Sequence, residues 1–459
     1  MSTTERTGST TERTGSRRDL AAAGFGALLV AAAIAVGTRI ERADGSLHLN
    51  WPPLYARWDP HIGPGTPAAL TVAAVVVVYA PSLAARLPWR SLLLAAWGTS
   101  LAWIWSLALI DGWHRGVARR LTTKYEYLQV IDRFDDIPAT LRDFTRHILI
   151  DSPDHWPAHT AGHPPGATLT FVLLDRIGLG GGAWAGAFCI TAGSTAVVAV
   201  LITLRALADE ATARGAAPFL ALAPAAIWVG TSADGYFAAV TAWTVALLAL
   251  AATRTTRSPA AAALGSGLLF GLTCYLSYGL TLFAVVCAAV LLIARTLRPV
   301  PLLLAGLALA PLVFTLAGFN WWEAYHLLVE RYYQGAGGIR PYGYFVWANL
   351  ACTVLVVGLA CVAGLRRTLA SAPAAVRHLV SGRTTTTDRL TTLVLAALLA
   401  LAAADLSGMS KAETERIWLP FATFLLAATA LLPPSARRYW LTAQAVLALA
   451  LNHLLFTGW

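Results

Sequence analysis

Charged residues are scarce in this chain: Asp, Glu, Lys and Arg make up only 13% of its 459 residues, whereas 57% are hydrophobic. A soluble domain carries about a quarter of its residues as charges, so this composition excludes a soluble enzyme or binding module. Apolar runs of roughly 20 residues recur instead, each long enough to cross ~30 Å of hydrocarbon. The sequence therefore predicts an all-α, polytopic integral membrane protein.

Cysteine is also sparse, and its placement excludes a metal cluster or a disulfide framework. All five Cys lie in apolar runs, and no two of them have CxxC spacing. Such residues are typical of small buried hydrophobes. Ionisable residues are nearly absent from the middle of the apolar runs, and neither half of the chain repeats the other, which makes a transporter the less favoured class.

The order of apolar and polar segments predicts about 13 transmembrane helices, a half-span at residues 166–179, and amphipathic helices in a long outer loop. The N-terminal segment repeats TTERTGS and lacks an apolar core, so we expect a disordered tail and no cleavable signal peptide. The predicted organisation is a tail at 1–19, three transmembrane helices within 20–110 with an outer loop at 39–67, the long outer loop at 111–165, and the remaining helices within 166–459 with outer loops at 319–344 and 407–418.

The distribution of charge predicts the orientation in the membrane. The net charge is +10, and the positive residues concentrate in short turns that all fall on one side if the N-terminus is cytoplasmic. Because basic turns stay inside, the long polar loops are expected on the outer face. The basic excess thus indicates a membrane-facing charge bias and not a nucleic-acid partner. The Ala, Leu and Arg bias is typical of a bacterial protein, so we expect a bacterial plasma-membrane location.

The long outer loop is the first candidate for chemistry, because a connection between two helices has no need of its length. Its apolar residues recur every three positions around Leu128 and Phe134, which predicts two short amphipathic helices on the membrane surface. Acidic side chains are interspersed among them. Glu126, Asp132 and Asp111 are the candidates for a general base or a metal-binding carboxylate.

The candidate ligand-binding residues lie in the same loop and in later outer segments. His159 and His163 are four residues apart but lack a third ligand at metal-binding spacing, so we assign them to hydrogen bonding with substrate or phosphate. Arginine binds phosphate through its forked guanidinium group. The further substrate-binding candidates are Tyr125, Asp234, Arg331, Arg340, Lys411 and Arg416.

Several of these motifs resemble the GT-C superfamily of membrane glycosyltransferases, in its protein-mannosyltransferase and aminoarabinose-transferase branch. Tyr125-Glu126-Tyr127 looks like the acidic site near the start of the family's first outer loop. His163-Pro164-Pro165-Gly166 resembles the end of that loop, and SKAETERIWLPF resembles a late outer loop with an acid–Arg pair. The chain departs from the family in having Tyr before the Glu, Gly166 after the Pro pair, and two additional spans at its N-terminus.

The resemblance implies an enzyme that transfers a sugar from a polyprenyl-phosphate donor to an envelope glycan, lipid or protein acceptor. A carboxylate would deprotonate the acceptor, with the base left open among Glu126, Asp132 and Asp111. Arginine or a divalent cation, Mg²⁺ or Mn²⁺, would stabilise the leaving lipid phosphate. Membrane lipids are expected partners. The alternatives are a transporter or flippase for a lipid-linked or small polar substrate, and a lipid ligase or scaffold.

Overall fold

The structure is a computed structural model that describes the backbone of residues 3–457 and the side chains of residues 14–457. It is almost entirely helical. The α-helices are α1 (Thr3–Asp44), α2 (Thr66–Arg86), α3 (Trp89–Ala108), α4 (Ile137–Asp143), α5 (Ala158–Gly162), α6 (Pro165–Arg176), α7 (Gly182–Ser194), α8 (Ala196–Leu207), α9 (Glu210–Ala221), α10 (Ala226–Val229), α11 (Ala233–Thr253), α12 (Pro259–Leu276), α13 (Phe283–Ala294), α14 (Val300–Leu316), α15 (Trp321–Gln334), α16 (Ala336–Ile339), α17 (Tyr342–Ser381), α18 (Thr386–Leu406), α19 (Thr414–Ile417), α20 (Leu419–Leu425) and α21 (Arg437–Leu454).

Shorter helical turns and one strand pair complete the fold. The 3-10 helices are Leu109–Asp111, Arg120–Thr122, Tyr127–Phe134, Phe144–His147, Tyr278–Leu282, Leu426–Leu431 and Pro434–Ala436, and a π-helix spans His114–Ala118. The strands β1 (Ala56–Trp58) and β2 (Leu455–Thr457) pair antiparallel, with Arg57 opposite Phe456. This pairing ties the first outer loop to the end of α21.

The all-α, polytopic prediction is confirmed, with fewer spans than predicted. Among the described residues, 8 helices are long and apolar enough to cross a membrane, or up to 10 if each of two bent helix pairs forms one span. The prediction of about 13 counted apolar runs near 216–231, 279–294 and 417–432 as full crossings. In the structure the first run is divided between α9 and α10, the second is one short helix, Tyr278–Ala294, and the third is half of a pair bent by 113°. Hydropathy alone does not show such breaks.

Helix α11 forms the centre of the bundle. It packs against α7, α8, α12, α13 and α20, and it is buried along most of its length. Helix α17 is broken at Gly358, where φ is +79° and a side chain would be strained. Helix α14 lies at the periphery and buries only Leu303 and Gly306. The bundle therefore has a deep core around α11 and a bare apolar rim at α14.

The long outer loop folds around Trp156. Its indole is buried, donates a hydrogen bond to the Phe144 carbonyl at 2.8 Å, and lies against the rings of Phe134 and Phe144. The Arg133 guanidinium stacks on the indole at 3.5 Å. The three-residue recurrence around Leu128 and Phe134 corresponds to a 3-10 helix, which has three residues per turn. The loop is thus a packed layer, in which this 3-10 helix and α4 are two of several short helical segments.

The predicted half-span is a short helix. Helix α6 has 12 residues, or about 18 Å at 1.5 Å per residue, which is too short to cross the hydrocarbon. The Pro164–Pro165 pair ends α5 and starts α6, since proline suits the first helical position. A Cβ on Gly166 would lie 2.6 Å from the Tyr275 carbonyl oxygen. That close approach explains why glycine follows the Pro pair.

The polar segments predicted to lie outside contact one another. Arg331 donates to the Trp156 carbonyl, and the Tyr55 amide donates to Glu415. Among the segments predicted to lie inside, Asp19 is buried and paired with Arg366 and Arg367.

Disorder of the N-terminal tail at residues 1–19 stays a prediction. Helix α1 begins at Thr3, and Asp19 is fixed by its two ion pairs to Arg366 and Arg367. Residues 1 and 2 of the predicted tail lie outside the described residues.

Candidate active site

Four buried side chains from three distant parts of the chain meet in one cluster, which we call the site cluster: Glu126, His159, Asp234 and Arg416. Arg416 Nη1 donates to Asp234 Oδ2 at 2.6 Å, and Arg416 Nη2 lies 3.2 Å from His159 Nε2. His159 Nδ1 lies 2.9 Å from Glu126 Oε2. The result is a continuous carboxylate–imidazole–guanidinium–carboxylate chain, buried along its whole length.

The contacts determine the tautomer of His159. A guanidinium group carries only donors, so Nε2 facing Arg416 must be the unprotonated acceptor. The ring proton therefore lies on Nδ1, and this nitrogen is the one beside the Glu126 carboxylate. The imidazole is neutral in this arrangement and orients one oxygen of Glu126.

Local backbone structure aligns the two halves of the Glu126–His159 pair. The His159 amide donates to the Tyr125 carbonyl at 3.0 Å. Glu126 follows Tyr125 directly and precedes the 3-10 helix Tyr127–Phe134. Because one backbone hydrogen bond joins the two segments next to both side chains, the chain that leaves at Glu126 returns to His159 in a fixed register.

Arg416 lies in α19, directly after the tight turn that follows α18. Ala412 and Glu413 both have positive φ, at 70° and 64°, a conformation that non-glycine residues adopt at a cost of order 1–3 kcal/mol. Glu413 lies 3.4 Å from Arg416 and 3.5 Å from Arg340. The turn is held further by Asn349, which donates to the Ser410 carbonyl. The strain is thus concentrated beside the site cluster.

The electrostatics favour a permanent positive charge on Arg416. Burial lowers its pKa, but the carboxylates of Asp234, Glu413 and Glu126 outweigh that effect and raise the pKa above its ordinary value. Three carboxylates face this guanidinium group, and one of them, that of Glu413, is shared with Arg340. The buried charge of the Arg416 guanidinium acts strongly on a ligand because the local dielectric is low.

An aromatic wall lies beside the cluster. The Tyr127 ring stacks on Phe171 with 5.5 Å between centroids and contacts the rings of His159 and His163 at 5.8 and 5.6 Å. Tyr127 is 1% exposed, and no described residue hydrogen-bonds its hydroxyl. Burial, with the nearby Asp234 and Glu126, raises its pKa well above the usual value. The hydroxyl is therefore a protonated donor without a protein acceptor.

His163 lies on the same wall. Its Nδ1 is 2.8 Å from the His159 carbonyl oxygen, which fixes the ring proton on Nδ1 and leaves Nε2 as an acceptor. Its ring contacts Phe237 at 5.8 Å. Burial lowers the pKa of His163 to about 4, so the ring is neutral at physiological pH.

Three predicted cationic ligands bind backbone carbonyls in the structure. Arg340 donates to the carbonyls of Leu47 and Lys411, and Lys411 Nζ donates to the Gly337 carbonyl. Arg331 donates to the Trp156 carbonyl. These side chains connect the outer segments to one another and support the turn that precedes α19.

The remaining sequence candidates lie at the surface or in a separate cluster. Asp132 is exposed, and Tyr125 is 45% exposed with the Lys124 ammonium over its ring. Asp111 pairs with Arg120 at 2.8 Å and with His61 at 3.0 Å. We call His61, Asp111 and Arg120 the clasp cluster, because Arg120 also donates to the carbonyl of Thr457 in β2.

No step can be assigned to a metal ion from these residues. Among the residues that the structure describes, no group of three or more His, Cys, Asp or Glu is arranged to hold a metal ion. The buried carboxylates of the site cluster face Arg416 and His159. The oxygen-rich donor set that Mg²⁺ or Mn²⁺ prefers is therefore not assembled here.

Two residues of the site were missed by the sequence interpretation. Tyr127 was noted only as part of the Tyr-Glu-Tyr motif, and Glu413 only as a charge in a polar loop. The position of Tyr127 next to a candidate base was a usable signal. The role of Glu413 depends on a left-handed backbone conformation, which no sequence pattern indicated.

No family model matches the sequence, and no curated protein matches it significantly. Solved structures to which it is similar include the Archaeoglobus fulgidus oligosaccharyltransferase in complex with Zn and sulfate, at 17% identity and a TM-score of 0.45, covering 79% of this chain and 51% of that one. The archaeal oligosaccharyltransferase AglB from the same organism, in complex with an inhibitory peptide and a dolichol-phosphate, is similar at 15% identity and a TM-score of 0.42, covering 74% and 50%. The chain spans about half the length of these neighbours, and at these values the likeness carries no argument about its activity.

Proposed function

We propose that this chain is a membrane glycosyltransferase that moves a sugar from a polyprenyl-phosphate donor to an acceptor hydroxyl at the outer face. The observation that supports this most is the buried chain Glu126–His159–Arg416–Asp234. It combines an oriented carboxylate with a fixed positive charge. These are the two groups that transfer from a lipid phosphate requires. The acceptor is an envelope glycan, lipid or protein.

Glu126 is the proposed general base. Its Oε2 is oriented by His159, and a carboxylate next to a neutral imidazole can accept the proton of an acceptor hydroxyl. Asp132 is exposed and Asp111 is committed to Arg120. Of the three bases left open by the sequence we favour Glu126, because its carboxylate faces the neutral His159 and not an arginine.

Arg416 is the proposed electrostatic stabiliser of the departing lipid phosphate. Its charge is permanent, and Asp234 holds one edge of the guanidinium at 2.6 Å. A preorganised cation in a buried site lowers the energy of negative charge that develops in the transition state. Because the donor lipid brings its own membrane anchor, a site beside the outer loops suits it.

The aromatic wall is the proposed binding surface for the transferred sugar. Aromatic rings offer an apolar face for a sugar ring, while the Tyr127 hydroxyl and His163 Nε2 supply one donor and one acceptor. Few, well-placed polar groups of this kind determine orientation in a mostly apolar pocket.

The test is transfer by purified protein from radiolabelled polyprenyl-phosphate sugars, supplied as a donor panel with lipid and glycan acceptors. We expect Glu126→Gln to lower the transfer rate by about 10²–10⁴-fold, the usual contribution of a general base. Glutamine keeps the shape of the side chain and can still face His159, so the fold should persist. The thermal midpoint in detergent checks that it does.

Asp132→Asn is the matched control, since it removes an exposed acid from the same loop. We expect it to transfer at the wild-type rate. If Asp132→Asn inactivates the enzyme and Glu126→Gln does not, the base is misassigned. If wild-type protein consumes no donor but moves labelled lipid between leaflets of vesicles, the transporter alternative is correct and the proposal fails.

A further inference from the structure

A second site lies at the other end of the bundle, among segments that the charge pattern places on the inner side. Two cavities of about 470 and 380 Å³ adjoin there and share Arg295 and Ala252 in their walls. Volumes of this size are typical of small-molecule sites. We call the pair the arginine cavity, after the arginines that line it: Arg254, Arg295, Arg298, Arg383 and Arg389.

The charge in this cavity is of one sign. Neither cavity has an Asp or Glu among its lining residues, all of which lie in the described part of the chain. The nearby Asp388 is occupied by Thr385 in a helix cap and by His378. An uncompensated concentration of guanidinium groups in a concave wall attracts an anion, and phosphate matches the guanidinium fork.

The backbone keeps two of these arginines at positions where glycine is the unstrained residue. Arg254 follows α11 with φ +57°, and Arg295 follows α13 with φ +52°. Helices usually end on glycine at such left-handed positions. Both of these helix ends carry a long cationic side chain instead, and both side chains line the same cavity. This indicates that their charge has a function.

One guanidinium group is also positioned between the two cavities. Arg295 Nη2 donates to the Leu379 carbonyl, and the side chain lies against Gly382, where a Cβ would come within 2.7 Å of Arg295 Nη1. Arg389 is held by Thr384 and the Leu207 carbonyl. These contacts orient two of the arginines before any ligand arrives.

The apolar side of the cavity indicates the rest of the ligand. Leu302 on α14 lines it and is 39% exposed, and Leu297 just before α14 is 73% exposed. Since α14 is the bare apolar rim of the bundle, the cavity opens towards a surface that suits acyl chains. A ligand with one phosphate and a hydrocarbon tail satisfies both sides.

We propose that the arginine cavity binds the phosphate group of an anionic membrane lipid, as a specific site separate from the site cluster. A general attraction of basic turns to anionic lipid is worth about 1 kcal/mol per Arg near the surface. Binding at a specific site differs from that attraction because it saturates and because it depends on particular arginines of the cavity.

The test uses the full chain in nanodiscs of phosphatidylcholine with increasing phosphatidylglycerol, and native mass spectrometry to count retained phosphatidylglycerol. The variant is Arg254→Gly/Arg295→Gly, which removes two charges while placing glycine at left-handed positions that it tolerates without strain. We expect saturable retention by the wild type and a loss of at least roughly tenfold in affinity in the variant. The matched control is Arg257→Gly, an exposed arginine in the same turn that does not line the cavity.

Three outcomes would overturn the proposal. Retention that never saturates, or that falls equally in Arg257→Gly, would reduce the cavity to general surface charge. Inorganic phosphate added to pure phosphatidylcholine discs should bind far more weakly than the lipid does. Equal binding would assign the cavity to a free phosphate compound and exclude the lipid.

Discussion

The site cluster and the clasp cluster contain the same residue types, a buried Arg paired with an Asp and approached by a His, and yet they differ in charge balance. Around Arg416 the carboxylates outweigh the effect of burial, and they raise the pKa of the guanidinium. Around Arg120 burial dominates, Arg115 adds a second positive charge, and the pKa is lowered in spite of Asp111.

The partners of the two arginines differ in the same way. Arg120 donates a hydrogen bond to the Thr457 carbonyl, and its guanidinium lies 4.9 Å from the centroid of the Phe456 ring. The guanidinium groups of Arg57 and Arg115 lie over the same ring. The contacts of Arg416 with Asp234, His159 and Glu413 are made to side chains, which can change partners when a ligand arrives. Identical residue types therefore hold β2 in place around Arg120, whereas around Arg416 the proposed function gives them a catalytic role.

The largest expected effect comes from removing the arginine of the site cluster. Arg416→Met leaves Asp234 buried without its cation, which typically costs about 3–5 kcal/mol of stability, and it should also abolish transfer. Adding Asp234→Leu should restore much of the stability, because a buried ion pair can be replaced by apolar side chains. Transfer should stay absent. Unfolding in SDS and donor consumption measure the two effects separately.

Arg120→Met is the control that tests the comparison itself. It should destabilise the protein by a similar mechanism, while the folded fraction transfers sugar at nearly the wild-type rate. If folded Arg120→Met is as inactive as Arg416→Met, both clusters are needed for transfer, and the proposed difference in their function is wrong.

An intermediate effect is expected from pH. The pKa of His163 is lowered to about 4 from its usual 6.5, so between these values the unfolded chain binds the proton more readily than the folded one does. Its contribution to stability is therefore complete above pH 6.5 and is lost as the pH falls towards 4, by at most about 1.4 kcal/mol per pH unit. His163→Gln should flatten this part of the stability profile. An unchanged slope in that variant would contradict the burial of a neutral imidazole.

The smallest effect is expected from Tyr127→Phe in the aromatic wall, which should change stability and donor binding in opposite directions. No described residue bonds the buried Tyr127 hydroxyl, and an unsatisfied buried polar group costs about 1–3 kcal/mol. Tyr127→Phe should therefore raise the thermal midpoint slightly while increasing the KM for the donor. A variant that is less stable, or that binds donor equally well, would show that the hydroxyl has a structural partner and no ligand.

The sequence predicted the membrane fold, and all four members of the site cluster are among its candidate residues, since acids, histidines and arginines are conspicuous in a chain with so few charges. It could not predict their pairing. Asp234 and Arg416 are 182 residues apart, and no local pattern joins them. It also could not separate Arg416 from Arg340 and Lys411, because a cation that binds a carbonyl looks identical in sequence to one that binds a ligand.

The overcounted spans have a related physical cause. Hydropathy reports how apolar a run is, but not whether the helix continues through it. The run at 216–231 contains a break between α9 and α10, near Pro224. Helices buried inside a bundle tolerate such breaks because neighbouring helices satisfy the freed backbone groups. The length of an apolar run in the sequence therefore does not give the length of the helix that it forms.

The most direct measurement of the central claim is a double-mutant cycle on transfer rate with Glu126→Gln, His159→Gln and the pair. If His159 acts by orienting the Glu126 carboxylate, as the 2.9 Å contact indicates, the double variant should be about as slow as Glu126→Gln alone, since residues that act as a unit are not additive. Losses that multiply in the double variant would show that the two side chains act independently, and would contradict the account.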